Sequence, residues 1–284
     1  MNTKLLALYG LKWNPFAPNV PLEALWTPPL VDGFCWRLEQ LVREGGFALV
    51  AGAPGTGKSV VLRLLVERLA RLRDVTVGLL VRPQAGLADF YRELGDLFGV
   101  PLAPHNRWAG ARALREKWQA HIDAALVRPV LVVDEAQEMQ PAVLNELRLL
   151  SSARLDSHLL LTTVLAGDGR LLAALGTDAL APLHSRVRVR LQLERVAPAA
   201  LAECLRHALH QAGAPQLLTA ELLTTLCEPA AGNYRTLMHL AGELLAAGAQ
   251  REARQRDEQL FLEVFAVPPP AAAPVQAASP TRRR

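Results

Sequence analysis

The sequence predicts an α/β protein: a parallel-sheet core with crossover helices, followed by a small all-helical part. Apolar runs of strand length alternate with longer stretches in which leucines and valines recur three and four apart, the pattern of strands joined by packed helices. A glycine-rich loop of fixed pattern follows the first of those runs and opens a helical stretch. After Arg195 the strand signal stops and only helical periodicity remains.

The strands are expected at Phe47–Ala51, Val75–Val81, Val130–Val133, Leu159–Ala166 and Val187–Leu193. Between them Lys58–Leu72, Leu87–Phe98, Gly110–Leu126 and Pro141–Leu150 carry apolar residues on one helical face, as crossover helices do. The later helices fall at about 198–212, 219–228, 233–248 and 251–265, punctuated by Pro198, Gly213-Ala214-Pro215 and Gly232. From Ala266 onward five prolines in nineteen residues leave too little apolar surface for a core, so a disordered tail is expected. The organisation is thus an N-terminal segment 1–46, a core 47–195, a helical part 196–265 and a tail 266–284.

Composition narrows the function. Of 284 residues, 51% are hydrophobic and 20% charged, which excludes wholesale disorder and collagen-like chains. The first twenty residues carry Lys4, Lys12, Asn14 and two prolines where a signal peptide needs an apolar stretch, and no run is long enough to span a bilayer. A cytoplasmic protein without a membrane partner is expected. Cys35, Cys204 and Cys227 are odd in number and far apart, as reduced thiols would be. The net charge of +4 is largely terminal: without Arg282, Arg283 and Arg284 the 31 basic residues fall to 28, against 27 acidic. Any nucleic-acid contact must therefore come from a local patch.

Directly after the first strand, Gly52-Ala53-Pro54-Gly55-Thr56-Gly57-Lys58-Ser59 matches G-x-x-x-x-G-K-[ST]. Its glycines let backbone N–H groups curl around phosphate oxygens, and the helix starting at Lys58 aims its positive end at the same anion. Lys58 suits the β- and γ-phosphates of ATP, and the Ser59 hydroxyl suits Mg²⁺. The strand Val130–Val133 ends in Asp134-Glu135. In that pairing Asp134 holds the metal and Glu135 polarises the attacking water, a hydrolase signature; two acids capping a strand is the alternative. The chain is expected to be a P-loop ATP hydrolase using ATP and Mg²⁺.

Tyr9-Gly-Leu-Lys-Trp-Asn-Pro-Phe16, the loop Gly52–Ser59, Asp134-Glu135-Ala136-Gln137, Leu165-Ala166-Gly167-Asp168 and Gly232-Asn-Tyr-Arg235, in this order, resemble the ExeA-like AAA+ ATPases over about residues 5–250. That group includes secretion ATPases of the ExeA/GspA type and transposition regulators of the TniB and TnsC type. The resemblance implies an AAA+ core with a helical lid. It implies an arginine finger at Arg186 reaching a neighbouring subunit's nucleotide, and a sensor-2 role for Arg235 from the lid. It also implies that the segment around Trp13, Pro15 and Phe16 packs near the adenine. Arg186, Arg188 and Arg190 alternate with Val187, Val189 and Leu191, so a half-exposed strand is the alternative reading of that stretch. Relatives carry a neutral sensor where this chain has Asp168, whose carboxylate repels a γ-phosphate unless a cation or helix N-terminus absorbs it. Slow or partner-dependent hydrolysis follows, with Asp168 capping a helix at Gly169–Leu175 as the alternative role.

The resemblance points first to a transposition regulator: a homo-oligomer, ring or filament, that binds duplex DNA without sequence preference and presents it to a transposase, with a target-selection protein as further partner. A secretion-associated ATPase is the second reading, disfavoured by a chain ending in a short Pro/Ala stretch where such relatives carry an anchor. A nucleotide-gated switch without DNA is the third. The DNA-contacting set expected is Arg107, Arg112, Arg115 and Lys117 with Arg148 and Arg154. Cys204, His207 and His210 lie three apart, but zinc sites of this type join two ligand pairs and no second pair is near. Trp13, Trp26, Trp36, Trp108 and Trp118 are expected in cores.

Overall fold

A computed structural model describes residues 2–102, 107–153, 158–251 and 258–265. In chain order the elements are α1 (Asn2–Tyr9), a 3-10 turn at Leu22–Ala24, α2 (Pro29–Glu44), β1 (Gly46–Gly52), α3 (Lys58–Ala70), β2 (Val75–Leu80), α4 (Leu87–Phe98) and α5 (Arg107–Ala125). There follow β3 (Arg128–Val133), a 3-10 turn at Ala136–Glu138, α6 (Pro141–Ser151), β4 (Ser152–Ala153), β5 (His158–Leu159), β6 (Thr162–Gly167), α7 (Gly169–Leu175), α8 (Ala181–His184) and β7 (Val187–Leu193). The last helices are α9 (Pro198–Ala212), α10 (Ala220–Ala230), α11 (Tyr234–Gln250) and α12 (Glu258–Phe265).

The sheet is parallel and five-stranded in the order β2-β3-β6-β1-β7, as the alternating runs predict. Because successive side chains of a strand face opposite ways, the sheet feeds two cores. Phe47, Leu49, Leu131, Val133 and Leu165 pack with α4, α5 and α6 on one face. Ala48, Val50, Val130, Val132 and Val164 pack with α2 and α3 on the other. Between Phe47 and Ala48 the β1–β7 register skips one residue of β7, pairing Phe47 with Val187 and Ala48 with Val189. That bulge puts Val187 in the first core and Val189 in the second.

The expected strand Leu159–Ala166 is two pieces. His158–Leu159 pairs antiparallel with β4, and the sheet strand begins at Thr162. Leu160 and Leu161 are buried between them, so the apolar run is continuous although the pairing is not. The tryptophan expectation also needs correction: Trp118 is buried, but Trp36 is 61% and Trp108 73% exposed, each on the solvent side of a helix whose other face packs. The tail 266–284 lies outside the described residues.

The helices α9 to α12 form a third core, into which Leu5, Leu11 and Phe16 of the N-terminal segment insert. Lys12 N donates to Ala212 O at 2.9 Å, tying that segment to the end of α9. Arg63 of α3 donates to Pro18 O and Val20 O, tying it also to the helix behind the glycine-rich loop. Cys35, Cys204 and Cys227 are buried free thiols, and desolvation pushes Cys204 up to about 12, well out of the reactive range. No described helix is long and apolar enough to cross a membrane.

Candidate nucleotide site

The site stands at the C-terminal edge of the sheet, where β1, β3 and β6 end. Between β1 and α3 the chain turns through Gly55 (φ +82°) and Gly57 (φ +102°), a region open to glycine and strained for other residues. At Gly52 the reason is space: an added Cβ would lie 2.6 Å from Thr56 Oγ1 and 2.7 Å from Leu193 O. Thr56 is buried and its hydroxyl donates to Ala53 O at 2.8 Å, which closes the loop on itself. Ala53 and Pro54 are exposed on its outer side.

Lys58 opens α3 with a side chain only 6% exposed. Its Nζ donates to Gly52 O at 2.9 Å and Ala53 O at 3.3 Å, so a buried ammonium sits under the loop amides. Those amides, the first N–H groups of α3 and this cation make one anion cradle. Ser59 Oγ donates to Asp134 Oδ2 at 3.0 Å, which brings together two hard oxygen ligands from residues 75 positions apart. The donor set fits ATP with Mg²⁺: amides and an ammonium for phosphate, a hydroxyl and a carboxylate for the metal. Glu135 follows Asp134 with an exposed side chain and a left-handed backbone (φ +52°).

The β6 end adds what the motifs left open. Asp168 caps α7, accepting from Arg170 N at 2.9 Å, and is paired with the Arg170 guanidinium at 3.0 Å. The Arg170 hydrogen bond holds the Asp168 carboxyl below the usual carboxylate range, with the Lys58 charge adding to it. Arg170 also reaches Glu138 at 2.9 Å. A cation and a helix N-terminus therefore both absorb this carboxylate.

From the helical part, Gly232-Asn233-Tyr234-Arg235 docks on the loop. Asn233 Nδ2 donates to Pro54 O at 2.9 Å while its Oδ1 caps α11, accepting from Thr236 N at 3.1 Å. Arg235 N donates to Gly55 O at 3.4 Å, so the exposed Arg235 side chain starts from the rim of the cradle. A Cβ on Gly55 would lie 2.2 Å from Asn233 Oδ1, which explains the glycine there. The tetrapeptide is pinned from behind, because Val196 N donates to Gly232 O and Arg195 donates to Ala231 O. Tyr234 lies beside Gly57, with the Trp26 ring 5.8 Å from its own. Trp13 and Phe16 pack with the helical core. Asn233→Ala is expected to remove both the cap and the clasp, costing about 1 kcal/mol of stability and weakening ATP binding; thermal melting with and without nucleotide reads both.

Arg186 is not brought into this chain's own site. The register pairs Phe47 with Val187 and Gly52 with Leu193, so Arg186 stands at the opposite end of the sheet, about 20 Å away along six residues of strand. Its Nη1 donates to Pro182 O at 2.6 Å. The alternation after it is that of an edge strand, with Arg188 and Arg190 exposed and Val189 and Leu191 buried.

The basic row expected to contact DNA also makes bonds within the chain. Arg112 is paired with Glu116 at 2.6 Å and lies over the Trp108 ring, Arg115 donates to Leu149 O, and Lys117 donates to Gly99 O at 3.0 Å. Arg115 and Lys117 thus tie α5 to its neighbours, and Arg148 is half-buried. The Arg107 side chain and the whole of Arg154 lie outside the described residues.

Comparison with known proteins agrees with this geometry. Residues 42–175 match the AAA domain family. Over 211 residues, 73% of the chain, the sequence is 31% identical to General secretion pathway protein A of Aeromonas hydrophila. The match spans 38% of that relative's length. Among solved structures, Cdc6p from Pyrobaculum aerophilum superposes with a TM-score of 0.70 at 16% identity, covering 88% of this chain and 69% of that one. The Drosophila ORC bound to DNA gives 0.68 at 17% identity, covering 93% and 66%. These structures share the fold.

Proposed function

We propose that the protein, whose residues 42–175 match the AAA domain family, hydrolyses ATP and assembles in its ATP-bound form on duplex DNA, acting as a transposition regulator that offers the DNA to a transposase. The observation that carries the ATPase reading is the Ser59–Asp134 bond at the mouth of a cradle whose only buried cation is Lys58, among the described residues, with Glu135 next in chain. The loop amides and Lys58 hold the phosphates, Ser59 and Asp134 hold Mg²⁺, and Glu135 takes the proton of the attacking water. Mg²⁺, when bound, would supply positive charge to offset that of the phosphates. Arg235 reaches the nucleotide from the helical part, and Arg186 reaches that of a neighbouring copy.

Duplex DNA as partner is supported by the regulator-type motif order and by the DNA in the similar ORC structure. A nearly neutral protomer offers few phosphate contacts, so affinity comes from copies repeated along one duplex. Anisotropy of a labelled random-sequence duplex should therefore rise only with ATP and fall steeply with salt, log affinity dropping by about 0.9 per phosphate contacted for each tenfold in salt. No ATP-dependent binding at low ionic strength would overturn the DNA reading. The specific observation favouring a secretion-associated ATPase instead is the 31% identity to General secretion pathway protein A; the negative outcome would leave that reading and the nucleotide-gated switch.

A further inference from the structure

Between the two acidic strand ends lies a side chain that the motif reading gives no role. Gln137 sits in the 3-10 turn Ala136–Glu138. The turn is rigid: Glu138 N donates to Glu135 O, Met139 N donates to Ala136 O, and both Ala136 and Met139 are buried. The left-handed backbone of Glu135 costs roughly 1–2 kcal/mol, so the surroundings and not local preference hold this turn.

The Gln137 amide touches two groups of opposite character. Nε2 donates to Glu135 Oε2, and Oε1 accepts from Asp168 N at 3.3 Å. The orientation is dictated by the partners, since a backbone N–H can only donate and a carboxylate only accept. The oxygen end is seated against Gly167, where an added Cβ would lie 2.7 Å from Oε1. Strands β3 and β6 are neighbours in the sheet, so this one amide links their ends. Beyond Asp168 the link continues through Arg170 to Glu138, back on the same turn as Gln137.

We propose that Gln137 is a positioning residue for Glu135: its amide, anchored by the Asp168 N–H, orients the water-activating carboxylate and couples it to the β6–α7 junction. This rests on the ATPase reading above. A carboxylate otherwise free to rotate in solvent is held through Oε2 by this one donor. A base misplaced by about 1 Å costs on the order of a hundredfold in rate. The amide's hydrogen bonds go to Glu135 and Asp168 and not to the loop, Lys58, Ser59 or Asp134 among the described residues, so nucleotide affinity should not depend on it.

Gln137→Glu is the sharpest variant, as it keeps the acceptor for Asp168 N and turns the donor facing Glu135 into an oxygen. Steady-state hydrolysis of Mg-ATP, affinity for a fluorescent ATP analogue and thermal melting are measured for wild type, Gln137→Glu and Gln137→Ala. Both variants should lose about ten- to a hundredfold in kcat, with KM, analogue affinity and melting temperature nearly unchanged. In single-turnover assays Gln137→Ala should add nothing to the loss caused by Glu135→Gln, because the two act as one unit. Wild-type hydrolysis with an unchanged kcat in Gln137→Glu overturns this proposal and leaves the ATPase reading standing. A loss confined to KM or to melting temperature, or losses that add in the double variant, overturn it equally. Absence of hydrolysis in the wild type overturns both.

Discussion

Lys58→Ala is expected to abolish ATP binding, whereas Glu135→Gln is expected to bind ATP normally and lose hydrolysis by about 10²–10⁴-fold. The two residues differ in place and not merely in charge. Lys58 is buried under the loop, bonded to Gly52 O and Ala53 O, so its ammonium belongs to the cradle itself. Truncating it removes the one buried cation described there and the Nζ donor to Gly52 O and Ala53 O. Glu135 is exposed beyond Asp134, the proposed metal ligand, and its carboxylate accepts from Gln137. Its amide isostere keeps shape and loses the ability to take a proton. Calorimetric titration with ATP separates the pair: a Lys58→Ala variant that still binds, or a Glu135→Gln variant that still turns over at the wild-type rate, contradicts the assignment.

Arg186→Ala is expected to keep nucleotide binding in each protomer and to lose about 10³-fold or more in hydrolysis, the magnitude of an arginine supplied to a phosphoryl-transfer site. Reach decides which phosphate this arginine can serve. Arg186 stands about 20 Å from the loop along β7, too far for its own chain's phosphate, so any phosphate it serves must be held by another copy. The interface is then heterologous, each copy completing the next. Assembly should accordingly depend on the γ-phosphate. Light scattering should report larger species with ATP than with ADP or no nucleotide, and identical species in all three would count against a shared site.

Much of this site was legible from local sequence. The loop Gly52–Ser59 and Asp134-Glu135 announce themselves because phosphate and metal binding demand particular residues at short spacing, and the structure joins them through Ser59 and Asp134. The sheet was legible because both of its faces are buried, which writes continuous apolar runs. The run 159–166 misled for the same reason: burial of Leu160 and Leu161 carries no mark of where pairing stops. Helix α2 had a readable signal in Pro28-Pro29 followed by Val31, Phe34, Cys35, Leu38, Leu41 and Val42, a Pro-opened helix with one apolar face. What sequence could not express were contacts made across strand ends. Gln137 between Glu135 and Asp168, Arg170 neutralising Asp168, and Asn233 clasping Pro54 all join residues that only the sheet order brings together. The basic row of α5 shows the same limit, since it reads as free side chains in sequence while Arg115 and Lys117 donate to Leu149 O and Gly99 O.

The central claim is an ATP site assembled from the loop and Glu135 of one copy and Arg186 of the next. Mixing two inactive variants tests it most directly. Arg186→Ala protomers keep a whole cradle, and Glu135→Gln protomers keep the arginine, so random co-assembly makes roughly a quarter of the interfaces complete. The account predicts that the mixture hydrolyses Mg-ATP well above the sum of the two variants alone, at a level that tracks the mixing ratio. A mixture no faster than that sum, at concentrations where scattering shows assembly, would contradict it.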